Sequence, residues 1–112
     1  MCIFCKIAKG EIPTKVVLED DDVIAFHDTN PQAPTHVLVI PKRHIAGIGQ
    51  AEPGDEAVLG KLLLAARRVA EATGIAEKGF RTVINNGAHA GQTVCHIHVH
   101  VIGGRPMGWP PG

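Results

Sequence analysis

Residues 96–100 read His-Ile-His-Val-His, a polar-apolar alternation in which every polar position is an imidazole. Side chains alternate along an extended chain, so His96, His98 and His100 share one face while Ile97, Val99 and Val101 point to the other and fill a core. One histidine on a strand is commonly a solvated polar residue. Three in register call for a chemical reason. A metal held by all three is poorly matched to the spacing: on an untwisted strand His96 and His100 lie ~13 Å apart, whereas each ligand bond is only ~2.0–2.1 Å. Separate tasks fit better, with one ring as nucleophile at phosphorus and a neighbour as donor to phosphate oxygens or leaving group. Imidazole suits both, because its pKa is near neutrality and its two nitrogens act independently.

Other residues that carry chemistry lie upstream. The segment Asn85 to Thr93, rich in glycine, asparagine and alanine, ends just before the histidines. Free main-chain N–H groups with a hydroxyl make an anion-binding concavity there. Asp28 follows a strand-like run, where an ionised carboxylate can accept hydrogen bonds from a diol. Cys2-Ile3-Phe4-Cys5 is a C-x-x-C with three readings: a redox pair, for which a preceding strand is missing; two small buried residues; or half of a zinc site that needs two more donors. Cys95 precedes His96 and is expected on the opposite, core-facing side. The odd count of three cysteines does not suit a disulfide framework and points to a reducing, cytoplasmic setting.

The elements that position these groups follow from periodicity. A short helix is expected over Ile3 to Ala8, then a hairpin of Lys15–Glu19 and Val23–His27 around an acidic turn, and a strand over His36–Ile40 stopped by Pro41. Val58, Leu62, Ala66, Val69 and Ala70 recur at helical spacing within Pro53 to Thr73, with Gly74 as C-terminal cap. Phe80–Asn85 and Val94–Ile102 are the last strands. Such grouping predicts an α+β fold, a mainly antiparallel five-stranded sheet with one long and one short helix on one face. The 112 residues suit a single domain, 1–112, with 45% apolar residues to build its core. Eleven basic residues balance eleven acidic ones, and no basic run or long apolar stretch occurs, so neither nucleic acid nor a membrane is an expected partner.

The pattern His-apolar-His-apolar-His-apolar-apolar resembles the signature of the histidine-triad (HIT) superfamily. Phe26-His27-Asp28, Pro31-Gln32-Ala33-Pro34-Thr35-His36, Gly91-Gln92, Gly103-Gly104-Arg105 and Trp109-Pro110-Pro111-Gly112 are similar to its nucleotide-binding branch, in the same order along the chain. The resemblance implies a HIT-like fold and hydrolysis of a nucleoside 5′-phosphoramidate, releasing AMP through a nucleotidyl-histidine. It assigns the nucleophile to His98, phosphate contacts to His100, and a phosphate-binding loop to Asn85, Gly91 and Thr93. Asp28 would hold the ribose; Ile3, Phe4, Ile7, Phe26, His27, Thr29 and Leu38 would line a purine pocket. Thr93 stands where relatives often carry serine, and Thr29 where they carry a larger aliphatic residue. Cys2, Cys5, His44 and His96 match a structural zinc site, with no catalytic metal required. A homodimer is also implied, with Trp109 in a tail that reaches the partner's site. Cleavage of dinucleoside polyphosphates is the alternative activity, and a nucleotide-binding regulatory role with incidental hydrolysis is the alternative class. Transfer to a sugar phosphate is disfavoured, because such relatives have glutamine where this chain has His100.

Overall fold

The computed structural model describes residues 2–112. The elements run α1 (Ile3–Ala8), β1 (Val16–Glu19), β2 (Val23–His27), β3 (Thr35–Pro41), two 3₁₀ turns (Ile48–Gln50 and Pro53–Asp55), α2 (Glu56–Thr73), β4 (Phe80–Val83) and β5 (Val99–Gly103). The five strands form one sheet in the order β1-β2-β3-β5-β4, with every neighbouring pair antiparallel. The expected α+β architecture is therefore present. Its long helix starts three residues later than the periodicity suggests, because Pro53 opens a tight 3₁₀ turn instead of the α-helix itself. That turn is closed by the Glu52 main-chain N–H, which donates to the Asp55 carboxylate. Gly74 ends α2 in the left-handed conformation (φ 80°), which costs glycine nothing.

The helices do not share a face. Alternate residues of the central strands build two cores: Val23, Ala25, Val37, Val39, Val99 and Val101 pack under α2, whereas Ile24, Phe26, Leu38 and Ile40 pack against Phe4 and Ile7 of α1. Strand β2 reads apolar at four consecutive positions because both of its faces are covered. A six-residue helix is too short to be stable by itself. Docking of Phe4 and Ile7 holds α1 in place.

The last strand is shorter than expected. Ladder pairing starts at Val99, not Val94, so His96 and His98 precede β5 and only His100 lies within it. The apolar side of the alternation persists, with Ile97, Val99 and Val101 all in the α2 core. Residues 96–98 are held by the preceding loop instead: the Ile97 N–H donates to the Ile45 carbonyl at 2.6 Å. Gln92 ties the same region together, donating through Nε2 to the carbonyls of Ala46 (2.8 Å) and Val94 (3.1 Å).

Candidate active site and metal centre

The histidine face is roofed by α1. His96 and His98 are buried and His100 is half-buried, so the imidazole row is not the solvated strand face that alternation alone would suggest. Phe4 supplies the roof, edge-on to His98 (ring centroids 5.1 Å, interplanar 89°), to His96 (6.0 Å) and to Phe26 (5.6 Å).

Main-chain carbonyls assign the protons on two of the rings. His98 Nδ1 lies 2.8 Å from the His96 carbonyl, which can only accept, so the proton is on Nδ1 and the lone pair on Nε2. That leaves the Nε2 lone pair outside this contact. His96 is turned the other way: its Nε2 donates to the Pro41 carbonyl at 2.8 Å, and its Nδ1 lone pair faces Cys2, Cys5 and His44. His100 Nδ1 is 2.9 Å from His36 Nε2, while His100 Nε2 is buried with no hydrogen-bond partner. Burial, reinforced by the neighbouring His98 and His36, pushes His100 down to about 4, so the ring is neutral at pH 7.

His98 and His100 line a cleft of about 300 Å³, together with Ile3, Phe4, Ile7, Phe26, His27, Asp28, Thr29, Leu38 and Thr93. The lining combines apolar side chains with polar atoms from Asp28, Thr93 and the two imidazoles. Asp28 is partly committed within the chain, since its Oδ1 accepts from the Asn30 N–H at 2.8 Å and its Oδ2 lies 3.4 Å from His36 Nε2. The cleft opens into a broader depression of about 810 Å³ that shares Pro13, Thr14, His27, Asp28 and Thr29 and adds Lys15.

The C-x-x-C lies beside the histidine segment. Its four candidate donors form a closed tetrahedron with all six edges short: Cys2 Sγ–Cys5 Sγ 3.1 Å, Cys2 Sγ–His44 Nδ1 3.6 Å, Cys2 Sγ–His96 Nδ1 3.4 Å, Cys5 Sγ–His44 Nδ1 3.2 Å, Cys5 Sγ–His96 Nδ1 3.5 Å and His44 Nδ1–His96 Nδ1 3.2 Å. A tetrahedral zinc with bonds of ~2.0–2.3 Å requires donor separations of roughly 3.3–3.8 Å. Three edges lie in that range and three, at 3.1, 3.2 and 3.2 Å, fall just below it; the Cys₂His₂ donor set and its closed arrangement fit the ion. Burial, with the adjacent Cys2 thiol, pushes the Cys5 thiol up from its ordinary value, and a cation among the donors would reverse that. The Pro41 carbonyl orients the His96 lone pair into the cluster, as an outer-shell acceptor does in metal sites. The ligand-bearing segments are joined by the Ile97–Ile45 hydrogen bond, one residue from both His96 and His44.

Of the residues singled out in the sequence, Asn85, Gly91 and Trp109 do not line this cleft. Asn85 and Gly91 belong to the mostly exposed loop above it. Trp109 is 82% exposed and its ring faces the Arg81 guanidinium at 5.9 Å, on the edge strand β4. Cys95 is exposed, not in the core, because the chain has not yet entered the β5 ladder at that point. Four lining residues escaped notice: Ile12, Pro13, Thr14 and Val94. Ile12, Pro13 and Thr14 lie in the connection between α1 and β1 and carry no periodic signal, and Val94 reads only as the start of a strand. His36 was legible only as part of the Pro-Thr-His string; the register pairs it with Ile102, diagonal to His100 on the same face.

The HIT domain family profile matches residues 9–107. The chain is 54% identical to the 14 kDa zinc-binding protein of Zea mays over 98% of this chain and 87% of that one. It is likewise 54% identical to the adenylylsulfatase HINT1 of Arabidopsis thaliana, over 98% of this chain and 76% of that one. Among solved structures, it is similar to a HIT family hydrolase of Legionella pneumophila, with a TM-score of 0.97 and 52% identity over the full length of both chains. The imidazole row under its aromatic roof, the cleft beside it and these likenesses have one common account: the chain belongs to the HIT family.

Proposed function

We propose that residues 1–112 form a single HIT domain that acts as a purine nucleotide hydrolase, cleaving nucleoside 5′-phosphoramidates through a covalent nucleotidyl-His98 intermediate. The observation that carries this reading is the His98 ring, whose Nδ1–H is anchored to a main-chain carbonyl while its Nε2 lone pair is free beside the cleft. The purine lies against Phe4, Ile7, Phe26 and Leu38 with Ile3, His27 and Thr29 at its margin, the ribose diol on Asp28, and the phosphate near Thr93 and His100. Asn85 and Gly91 help shape the loop over the phosphate.

His98 Nε2 attacks the α-phosphorus in line, forming a P–N bond to the ring and breaking the bond to the leaving amine, whose nitrogen takes the bonding pair and a proton from solvent. Water then attacks the same phosphorus from the side the amine left. The His98–P bond breaks with its electron pair returning to Nε2, the attacking water gives a proton back to solvent, and AMP and free His98 are released. Protonation of the departing nitrogen suffices for the first step, so the chemistry requires no catalytic metal. Charge on the equatorial oxygens is met by preorganised donors at His100 and Thr93.

The name of the Arabidopsis relative supports a second substrate class, the adenylyl–sulfate anhydride, whose sulfate leaves without needing a proton. Steady-state assays separate the readings: adenosine 5′-phosphoramidate, adenylyl sulfate and a dinucleoside polyphosphate are offered to wild type and to His98→Ala. The first is expected to give the highest kcat/KM, and His98→Ala to lose more than about 10³-fold while AMP still binds. Substantial turnover by His98→Ala refutes the mechanism. AMP binding without hydrolysis of any of the three favours a regulatory role.

Cys2, Cys5, His44 and His96 hold a structural zinc in this reading, and the name of the maize relative supports it. The ion fastens the N-terminus to the histidine segment and takes no part in the reaction. A homodimer is supported by the exposed Leu63 and Leu64 on α2 and Phe80 on the edge strand β4, a face that a second copy would cover. Trp109, exposed beside Arg81 of the edge strand β4, is a candidate contact for the partner's cleft. Nucleic acid is not a proposed partner, and no helix among the described residues is long and apolar enough to cross a membrane. The unpaired cysteines favour the cytoplasm.

A further inference from the structure

A main-chain carbonyl fixes the proton of His98, but no such group touches His100. Which His100 nitrogen carries the proton is decided two steps away. The Gln32 main-chain N–H points at His36 Nδ1 at 3.0 Å, and an amide N–H can only donate. His36 is buried, which lowers its pKa against the opposing influence of Asp28, so the ring is neutral at pH 7. A neutral imidazole with its lone pair at Nδ1 carries its proton at Nε2. That atom is 2.9 Å from His100 Nδ1 and 3.4 Å from Asp28 Oδ2. His100 Nδ1, the nearer group, therefore accepts, and the proton of His100 is left at Nε2, the buried atom without a hydrogen-bond partner among the described residues. The reverse order would set two N–H groups head to head at Gln32, 3.0 Å apart.

We propose that the Gln32 main-chain N–H, acting through His36, locks His100 in its Nε2–H form, so that His100 offers the cleft a donor and never a lone pair. Gln32 and His36 are positioning residues. The proposal rests on the reading above only for what the donor acts on, the oxygens of a phosphoryl group. It also separates the two groups among the described residues whose spacing could hold a cation. Asp28, His36 and His100 bring ligand atoms within 4.8 Å of one another. A cation there would need the lone pair of His36 at Nε2, and Gln32 demands it at Nδ1. In the Cys2–Cys5–His44–His96 set, by contrast, the Pro41 carbonyl turns a lone pair toward the centre. One cluster is wired for protons and the other for a metal. Arg105 braces the wiring: its guanidinium donates to the Gln32 carbonyl at 2.9 Å, and the Gln32 side chain donates to the Asn30 carbonyl at 3.0 Å.

The test is a long-range ¹H–¹⁵N spectrum of the histidine rings in uniformly labelled protein near pH 7, which distinguishes protonated from lone-pair nitrogens at each ring. The expected result is Nε2–H at both His36 and His100, with Nδ1–H at His98. An Nδ1–H form at His36 or at His100 overturns the proposal. Gln32→Pro deletes the N–H, and Gln32→Ala keeps it. Gln32→Pro is expected to give mixed protonation at His36 and His100 and to lower kcat for the phosphoramidate about tenfold, the equivalent of one neutral hydrogen bond, with AMP affinity retained. Gln32→Ala is expected to keep the wild-type spectrum. A folded Gln32→Pro protein with His100 still wholly Nε2–H refutes the role of Gln32, and if that variant does not fold, the wild-type spectrum decides. Because the spectrum needs no substrate, the expected ring pattern in a protein inactive on phosphoramidates would refute the proposed reaction and leave the wiring standing.

Discussion

Replacing Phe4 by alanine strikes the contact on which both the roof of the site and the docking of α1 depend. The ring is 7% exposed and packs in the core with Ile7, Ile24, Phe26, Leu38 and Ile40, making edge-on contacts with one phenylalanine and two histidines. Truncating a buried phenylalanine costs ~3–5 kcal/mol in lost transfer energy and residual cavity. Helix α1 has only six residues, so it can settle partly into the gap, which sets the expected cost near the lower limit, about 3 kcal/mol. For a chain of this size that corresponds to a fall in Tm of roughly 12–18 °C. The assay is urea unfolding followed by circular dichroism, on metal-loaded protein throughout. A cycle with Phe26→Leu isolates the aromatic pair, whose coupling is expected at ~0.5–1.5 kcal/mol. AMP affinity should fall in parallel, because the same ring lines the cleft. A loss below about 1 kcal/mol, typical of surface changes, would refute the docking of α1 described above.

Three further outcomes follow from particular contacts. His36 and His100 both have lowered pKa values, His100 from 6.5 to about 4; between those values the unfolded ring holds a proton that the native ring does not, so their stabilisation is complete above ~6.5 and is lost as pH falls toward 4. For His100 the full shift is ~3 kcal/mol, reduced to ~1–2 kcal/mol by partial solvent access; urea midpoints at pH 7.5 and 5.0 should therefore differ less in His100→Gln than in wild type, and equal differences contradict the assignment. Gly103→Ala would drive a methyl to 2.8 Å from Ile75 Cδ1 and 3.1 Å from its Cβ, a clash expected to cost ~1–2 kcal/mol and to be partly relieved by Ile75→Val; an unaffected midpoint would show that this strand end is not packed on Ile75. Metal analysis should find one zinc per chain, and Cys2→Ser/Cys5→Ser should lose it with a Tm lower by more than about 8 °C, whereas zinc-free protein with unchanged Tm sinks the metal site.

Much of this site is legible in the sequence because its signals are short-range. Alternation around residues 96–101 places Ile97, Val99 and Val101 in the core even where the ladder has ended, since the loop bond from Ile97 to Ile45 keeps the chain extended. The element order follows from helical spacing in α2 and from turns at Gly, Pro and Asp. What fails is what depends on distant pairing. Strand β5 starts at Val99 because its pairing with β3 stops at Val39, two residues short of Pro41, and nothing local to Val94 announces it. The position of α1 on the opposite face to α2 depends on two apolar faces of β2 and β3, which a run of buried residues signals only as burial. Cys95 was expected inside by extending an alternation the chain had not yet adopted. The ring-to-ring link from His36 to His100 spans 64 residues and is set by strand register, which no sequence period encodes.

In the proposed reaction His98 Nε2 becomes covalently bonded to the α-phosphorus. Rapid acid-free quenching of wild-type protein during turnover of an adenosine 5′-phosphoramidate, followed by fragmentation of the peptide spanning residues 96–100, tests it most directly. One adenylyl group is expected, on His98, formed and lost at rates no slower than kcat and absent from His98→Ala. An adduct on His96 or His100, or turnover with no adduct at any ring when breakdown is the slow step, refutes the mechanism.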